Sequence, residues 1–316
     1  MSNILVTGGA GFIGSNITER LVMDGHKVRV IDNLSTGRME NISGFLDRIE
    51  FVEGDIRDLK VVKKVMDGVE FVLHQAALPS VLRSIEDPIS TNDVNIRGTL
   101  NVLVAAKGAK VKRLVYASSS SVYGNNLVLP KKEDMKEEPI SPYGITKLVG
   151  EKYCEVFYHV YGLETISLRY FNVFGKNQDP TSQYSAVIPR FITKMLKEEQ
   201  PIIYGDGEQS RDFTFVENVV SANLLACFSP NGQGKVFNIA CGKRITVNEL
   251  VKTINEILET NIEPTYTSHR TGDVRHSQAE ISKAQEVLGY EPIVDFKEGL
   301  KRTIEWYRDQ MSEIRS

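Results

Sequence analysis

Thr7-Gly8-Gly9-Ala10-Gly11-Phe12-Ile13-Gly14 is the stretch that decides the fold of this 316-residue chain. It directly follows the apolar run Ile4 to Thr7 and opens onto a segment of helical spacing. Gly9, Gly11 and Gly14 fit G-x-G-x-x-G, and Gly8, Gly11 and Gly14 fit G-x-x-G-x-x-G. Missing Cβ atoms let such a turn close and let the backbone approach a pyrophosphate, which the amides and positive dipole of the following helix N-terminus stabilise. The second β-rich run, Val28 to Asp32, ends in a carboxylate 18 residues beyond Gly14, suited to accept both hydroxyls of a ribose. Strand, glycine turn, helix and acid in that order predict a dinucleotide site. Asp32 would repel a 2′-phosphate, which favours NAD over NADP; Arg38 lies near enough in sequence to keep NADP open as the lesser reading.

Outward from this turn, β-branched apolar runs recur at Ile49 to Glu53, Phe71 to Gln75, Leu114 to Ser118 and Thr165 to Tyr170, with helical segments between most of them. Continuous apolar strands separated by helices predict a parallel sheet covered on both faces, a Rossmann-type doubly wound α/β fold. After Gly175 the alternation weakens and turn clusters such as 178–182 and Tyr204-Gly205-Asp206-Gly207 interrupt it. The expected division is a dinucleotide-binding domain over 1–174 and a smaller mixed α/β substrate domain over 175–316. The apolar stretch Val236 to Ala240 is expected to rejoin the first sheet, so that a segment near 235–240 returns to it. The mixed-sign run Lys131 to Glu138 reads as a solvated connection.

Composition narrows the class. Hydrophobic residues are 41% and charged residues 25%, with 24 Gly and 11 Pro, which excludes a disordered, collagen-like or coiled-coil chain. The formal net charge of −3 argues against nucleic acid or anionic lipid as partners. Neither a membrane-spanning run nor a basic leader followed by an apolar stretch is seen, and a soluble, cytoplasmic protein is expected. Cys154, Cys227 and Cys241 are odd in number and far apart, and none of the five histidines has H-E-x-x-H spacing, so neither a disulfide framework nor a metal site is expected. His74, on an apolar run, reads as a core residue.

In Ser141-Pro142-Tyr143-Gly144-Ile145-Thr146-Lys147, Pro142 suits a first helical turn and Tyr143 and Lys147 stand at i and i+4, on one face of the helix. A phenol of ordinary pKa is a poor base at neutral pH, but an adjacent ammonium and a positive nicotinamide both favour its phenolate. Tyr143 then becomes a usable proton acceptor. The run Ser118 to Ser121 ends a strand and can place a hydroxyl beside the same substrate oxygen. Asp55-Ile56 and Gln75-Ala76-Ala77 close two further strands and are candidates for the adenine pocket and for the sheet edge under the cofactor.

With these residues in order, the chain resembles the extended short-chain dehydrogenase/reductase superfamily over nearly its whole length. The resemblance implies Tyr143 as catalytic acid/base, Lys147 as its electrostatic and ribose partner, and Ser119, before Val122-Tyr123-Gly124, as the third catalytic group, with Ser120 and Ser121 as close competitors. It implies cofactor contacts from Gly8, Gly11, Phe12, Ile13, Gly14, Asp32, Asn33, Ser35, Thr36, Gly37, Asp55, Ile56, Gln75, Ala76, Ala77, Asn95, Tyr143, Lys147 and Tyr170. Dehydratases and decarboxylases of the superfamily carry an acidic residue where this chain has Ser120 or Ser121, which points instead to epimerisation. Leu168 to Gly175 looks like the segment that contacts nicotinamide and presents Asn172 to a sugar diphosphate. Arg211 and Arg270 match diphosphate arginines, and Asp273 the carboxylate on the uridine ribose; guanidinium forks suit phosphate oxygens. Ser80, Ser120, Ser121, Ala186, Val187, Tyr204 and Ser277 complete the implied substrate set.

Within the superfamily, Arg169 to Pro189 and Gly272 to Glu280 are most similar to the UDP-N-acetylglucosamine 4-epimerases. Ser277 falls where a bulky tyrosine would exclude a C2 acetamido group, and a steric gate of this kind discriminates sharply. Pro79 departs from the UDP-glucose type, which has a lysine there. The implied activity is NAD-dependent interconversion of UDP-N-acetylglucosamine and UDP-N-acetylgalactosamine. The alternatives are a UDP-glucose or UDP-uronate 4-epimerase, or a non-catalytic NAD-binding sensor or scaffold. The family also suggests a homodimer through the helices near Asn95 to Lys107 and Tyr143 to Tyr161, which carry Val102, Leu103, Val156, Phe157 and Val160.

Overall fold

A computed structural model describes residues 1–180, 186–268 and 274–313. Seven parallel strands form one sheet: β1 (Asn3–Thr7), β2 (Lys27–Asp32), β3 (Ile49–Glu53), β4 (Phe71–His74), β5 (Arg113–Ser119), β6 (Glu164–Tyr170) and a returning strand, Lys235–Ile239. Their spatial order is returning strand, β6, β5, β4, β1, β2, β3. The alternation within β1 shows why the sheet is covered twice, because successive side chains of a strand point to opposite faces. Ile4 and Val6 face one layer, packed with Ile17 and Leu21 of helix α1 (Phe12–Met23) and with Val219 and Ala222 of the helix Val216–Phe228. Leu5 faces the other, with Val102 and Leu103 of the helix Thr99–Gly108 and Cys154 and Phe157 of the helix Pro142–Tyr161. This is the Rossmann-type doubly wound fold expected from the runs of apolar residues.

β1 lies between β2 and β4, so the chain leaves its two neighbours in opposite directions and a crevice opens at the carboxyl ends of β1 and β4. The glycine turn and Gln75 to Ala77 sit at that crevice. The returning strand pairs with β6 from Lys235 opposite Ile166 to Ile239 opposite Tyr170. The helix Val216–Phe228 also packs on the sheet, so the chain crosses back to the first layer before that strand. The remaining core joins Phe174, Phe191, Phe213, Leu250, Ile254, Leu300 and Ile304, contributed mainly by the helices Val187–Met195, Val247–Leu258 and Phe296–Glu313. Two short pairs, Ile202–Tyr204 with Thr265–Thr267 and Ser210–Arg211 with Ile245–Thr246, edge this region. No described helix is long and apolar enough to cross a membrane.

Candidate active site

The glycine turn is built by backbone proximity. Gly8 takes φ +70°, and a Cβ there would lie 2.7 Å from the Cα of Ala76. A Cβ on Gly14 would overlap the carbonyl oxygen of Gly8, so the helix can begin this close to β1 only with glycine at that position. Helix α1 starts at Phe12 with no side-chain cap and no acid in its first turn, which leaves its amides and dipole facing the crevice. Asp32, at the end of β2, accepts hydrogen bonds from the amides of Ala10 (3.0 Å) and Leu34 (2.9 Å), and burial raises its pKa against them. Asp55 accepts from Asn33 Nδ2 at 2.8 Å and pairs with Arg57, whose hydrogen bond holds its pKa down to about 2.

Gly8, Gly11, Phe12, Ile13, Gly14, Asp32, Asn33, Ser35, Thr36, Asp55, Ile56, Gln75, Ala76, Ala77, Tyr143, Lys147 and Tyr170 all line one elongated cleft. A cradle of glycines at one point, two carboxylates beyond it and a tyrosine–lysine pair at the far end fit a dinucleotide. Two predicted contacts stand behind the wall. Gly37 packs on Asp32, where a Cβ would come within 2.8 Å of Oδ1. Asn95 is buried and holds the Leu78 backbone, accepting from its amide at 2.8 Å and donating to its carbonyl at 3.1 Å, while Leu78 itself lines the cleft. Arg38 forms an ion pair with Asp179 at 2.6 Å, away from the lesser role of a 2′-phosphate ligand.

Ser141 caps the Pro142–Tyr161 helix by accepting from the Gly144 amide at 3.1 Å, and Pro142 occupies its first turn, which sets Tyr143 and Lys147 into the cleft. Buried Lys147 donates to the carbonyl of Ala117 at 2.8 Å, and its Nζ lies 5.8 Å from the centre of the Tyr143 ring. Burial lowers the Lys147 pKa to about 8, with Glu151 opposing. Burial also raises the Tyr143 phenol, and a hydrogen bond with Ser119 opposes the rise. The lowering expected of this phenol rests on the ammonium and a positive nicotinamide together, and in the protein by itself burial is the larger effect.

The serine run divides its roles. Ser118 donates a short hydrogen bond to Glu151, which is held in turn by Arg169 at 2.8 and 2.9 Å. Ser119 faces Tyr143 and accepts from the Ser121 amide at 3.2 Å. His74 is fully buried between the hydroxyls of Thr7 (2.7 Å) and Thr99 (3.0 Å), and burial, aided by the Lys147 charge, lowers its pKa to about 3. It is a core residue held neutral. At the cleft floor, Tyr170, Gln75 and Asn223 form a hydrogen-bonded triangle of 2.8 to 3.2 Å.

Two further cavities adjoin. One is lined by Ser120, Ser121, Asn172, Arg211 and Ser277, together with Lys131, Tyr123 and Phe171. The other is lined by Asn172, Ala186, Val187, Tyr204 and Arg211, together with Phe191, Gln209 and Phe213. Asn172, at φ +36°, and Arg211 line both and mark the passage between them. Arg211 donates to the carbonyls of Ser210 (3.0 Å) and Arg275 (3.1 Å). Ser80, at φ +92°, caps the helix Val81–Glu86 between Pro79 on the cleft and Val81 on the first of these cavities. Arg270 and Asp273 lie outside the described residues. Lys131, Gln209 and Asn223 carry no local signal: one sits in a charged run, one in a turn region and one in an apolar helix.

Residues 4–240 match the NAD dependent epimerase/dehydratase family. A putative UDP-glucose 4-epimerase of Methanocaldococcus jannaschii is 43% identical over 308 residues, covering 97% of this chain and 98% of that protein. A solved UDP-N-acetylglucosamine 4-epimerase from Methanobrevibacter ruminantium M1, in complex with UDP-N-acetylmuramic acid, superposes with TM-score 0.94 at 42% identity, covering 98% of this chain and 99% of that one. A UDP-glucose 4-epimerase of Thermotoga maritima with UDP-glucose gives the same TM-score of 0.94, identity of 42% and coverage of 98% and 99%.

Proposed function

The chain belongs to the NAD dependent epimerase/dehydratase family, and from that premise we propose that it interconverts UDP-N-acetylglucosamine and UDP-N-acetylgalactosamine by inverting C4. It is an NAD-dependent nucleotide-sugar 4-epimerase, and the choice of sugar is the reading added here. The observation that carries the choice is Ser277, a small side chain on the cavity that also contains Ser120 and Ser121, which leaves room for a C2 acetamide.

NAD, when bound in the cleft, supplies the acceptor for the C4 hydride and a positive charge beside the phenol. Tyr143 takes the C4 hydroxyl proton and returns it, Ser119 holds the reacting oxygen, and Lys147 fixes the tyrosine face and the nicotinamide ribose. Asn172 and Arg211 grip the diphosphate at the passage between the two cavities, assisted by Arg270. The nucleoside sits against Ala186, Val187 and Tyr204, with Asp273 on its ribose. Inversion requires the 4-keto sugar to turn about this anchored diphosphate, so the sugar end is held less firmly than the nucleotide end. Two domains, 1–174 with a returning segment near 235–240 and 175–316, carry the two halves of this division, and we place the enzyme in the cytoplasm as a homodimer.

The names of the M. jannaschii and T. maritima relatives favour a second reading, a UDP-glucose 4-epimerase. Incubating the purified protein with each UDP-sugar separately, without added cofactor, tests both. Conversion of the N-acetyl pair at a higher kcat/KM than the glucose pair is expected; faster conversion of UDP-glucose would overturn the choice of sugar.

A further inference from the structure

Asp212 is fully buried between two residues that line the substrate cavities, Arg211 and Phe213. Its carboxylate joins two segments far apart in the chain: Oδ1 accepts from the amide of Cys241 at 3.0 Å, and Oδ2 from the amide of Ala279 at 3.1 Å. Burial raises its pKa to about 6, against hydrogen bonds from these amides and from those of Gly242 and Lys243. Its own carbonyl accepts from Asn172 Nδ2 at 3.3 Å. The segment 275–280, which carries Ser277, is held on the same side. The Ser210 amide donates to the Arg275 carbonyl and the Ser277 amide to the Ser210 carbonyl, each at 3.0 Å, and Gln278 Nε2 donates to the Gly242 carbonyl at 2.8 Å. Asp212 is therefore the point at which the strand of Arg211, the loop 240–243 and the segment of Ser277 are fastened together. A carboxylate suits this place because both of its oxygens accept, whereas an amide offers one oxygen and turns an NH₂ group toward the second backbone donor.

We propose that Asp212 is a positioning residue for the nucleotide sugar: its ionised carboxylate holds the Ser277 segment and the 240–243 loop against Arg211 and Asn172, and so sets the grip on the substrate without touching it. The proposal rests on the reading of Arg211, Asn172 and Ser277 as substrate contacts and adds a residue that acts through them. Protonation puts a hydrogen on one of the two accepting oxygens, which has the same effect as Asp212→Asn. The charged and titratable groups around the carboxylate are Arg211 on its own strand, Cys241 and Lys243 on the loop, His276 on the Ser277 segment, and Tyr290, whose hydroxyl donates to the Ala240 carbonyl at 2.9 Å. Burial pushes the Cys241 thiol up to about 12 and the Tyr290 phenol higher still, with the Asp212 charge adding to both. His276 is held below its ordinary value by desolvation and by the charges of Arg244, Arg275 and Arg211, so it is the one neighbour whose titration competes with that of Asp212.

Steady-state kinetics of the NAD-loaded enzyme with UDP-N-acetylglucosamine and with UDP-glucose, whose diphosphate diester stays ionised throughout, test this from about pH 8 to about pH 5. At about pH 8, Asp212→Asn should raise KM about ten-fold while kcat and bound NAD stay within about two-fold of the unaltered enzyme. In the unaltered enzyme KM should climb toward the value of the variant as pH falls through about 6, and in the variant it should stay flat. Three results overturn the positioning role: a KM in Asp212→Asn equal to that of the unaltered enzyme, a rise on acidification that persists in the variant and so belongs to His276, or losses of kcat and bound NAD as large as the change in KM. Should the variant fail to fold, the unaltered enzyme decides, because a KM that stays flat down to about pH 5 overturns the role and a rise centred near 6 with NAD retained supports it. Conversion of neither sugar by the unaltered enzyme would instead overturn the reading of the site.

Discussion

Tyr143 and Ser119 meet because a helix capped at Ser141 is laid against the end of β5, and this meeting gives the phenol a partner without making it a base. Removing the hydroxyl removes the proton acceptor while leaving the ring packed. Tyr143→Phe should lower kcat by roughly 10²–10⁴-fold with bound NAD retained; turnover unchanged in this variant would overturn the role of Tyr143 as the proton acceptor. His74 offers a second test at this scale. Its folded pKa of about 3 lies below the ordinary histidine value, so in mild acid the unfolded chain binds a proton that the folded protein refuses. Stability is therefore complete above about pH 6.5 and is lost as pH falls, by about 1 kcal/mol per pH unit. Denaturant melts between pH 7 and 4 should show this slope for the unaltered protein and a shallower one for His74→Gln.

At the scale of elements, the helix Pro142–Tyr161 is tied to β6 by a salt bridge sealed from water. Arg169 and Glu151 side chains are each 1% exposed, and Arg169 reaches Glu137 on the preceding connection at 3.0 Å. The Arg169 guanidinium also lies 4.7 Å from the centre of the Tyr123 ring. Such a pair adds little over apolar packing, but breaking it strands a charge. Arg169→Met should cost about 3–5 kcal/mol in a chemical melt, and adding Glu151→Met should recover part of the loss; an unaffected single variant would show that water reaches Glu151. Nothing in the spacing of Arg169 and Glu151 announces this pair, whereas the i, i+4 spacing of Tyr143 and Lys147 announces theirs. The difference is that one contact lies within a helix and the other between a helix and a strand.

For the whole molecule, the sheet consumes part of the apolar surface that suggested a dimer. Val102 and Leu103 are fully buried and Phe157 is 5% exposed, so they belong to the core. Ile145, Val156 and Val160 remain 47–65% exposed and recur at helical spacing on the same helix. An apolar stripe of this kind fits a second copy of the chain. For the proposed homodimer, Val160→Glu should shift the protein toward monomer in sedimentation analysis; an unaltered protein that already sediments as a monomer, or a variant that sediments as the unaltered dimer, would overturn this contact.

The amino-acid sequence by itself determined the parallel sheet, the glycine turn with Asp32, and the pairing of Tyr143 with Lys147. Each is written in a period or spacing within one or two adjacent elements, where backbone geometry alone places the side chains. Only the tertiary structure decided that Ser119 faces Tyr143, that Asn223 completes the cleft floor, and that Lys131 leaves a charged run to enter a cavity. Those neighbours come from segments distant along the chain, and their meeting depends on how strands register and helices pack across the sheet, which no local pattern records.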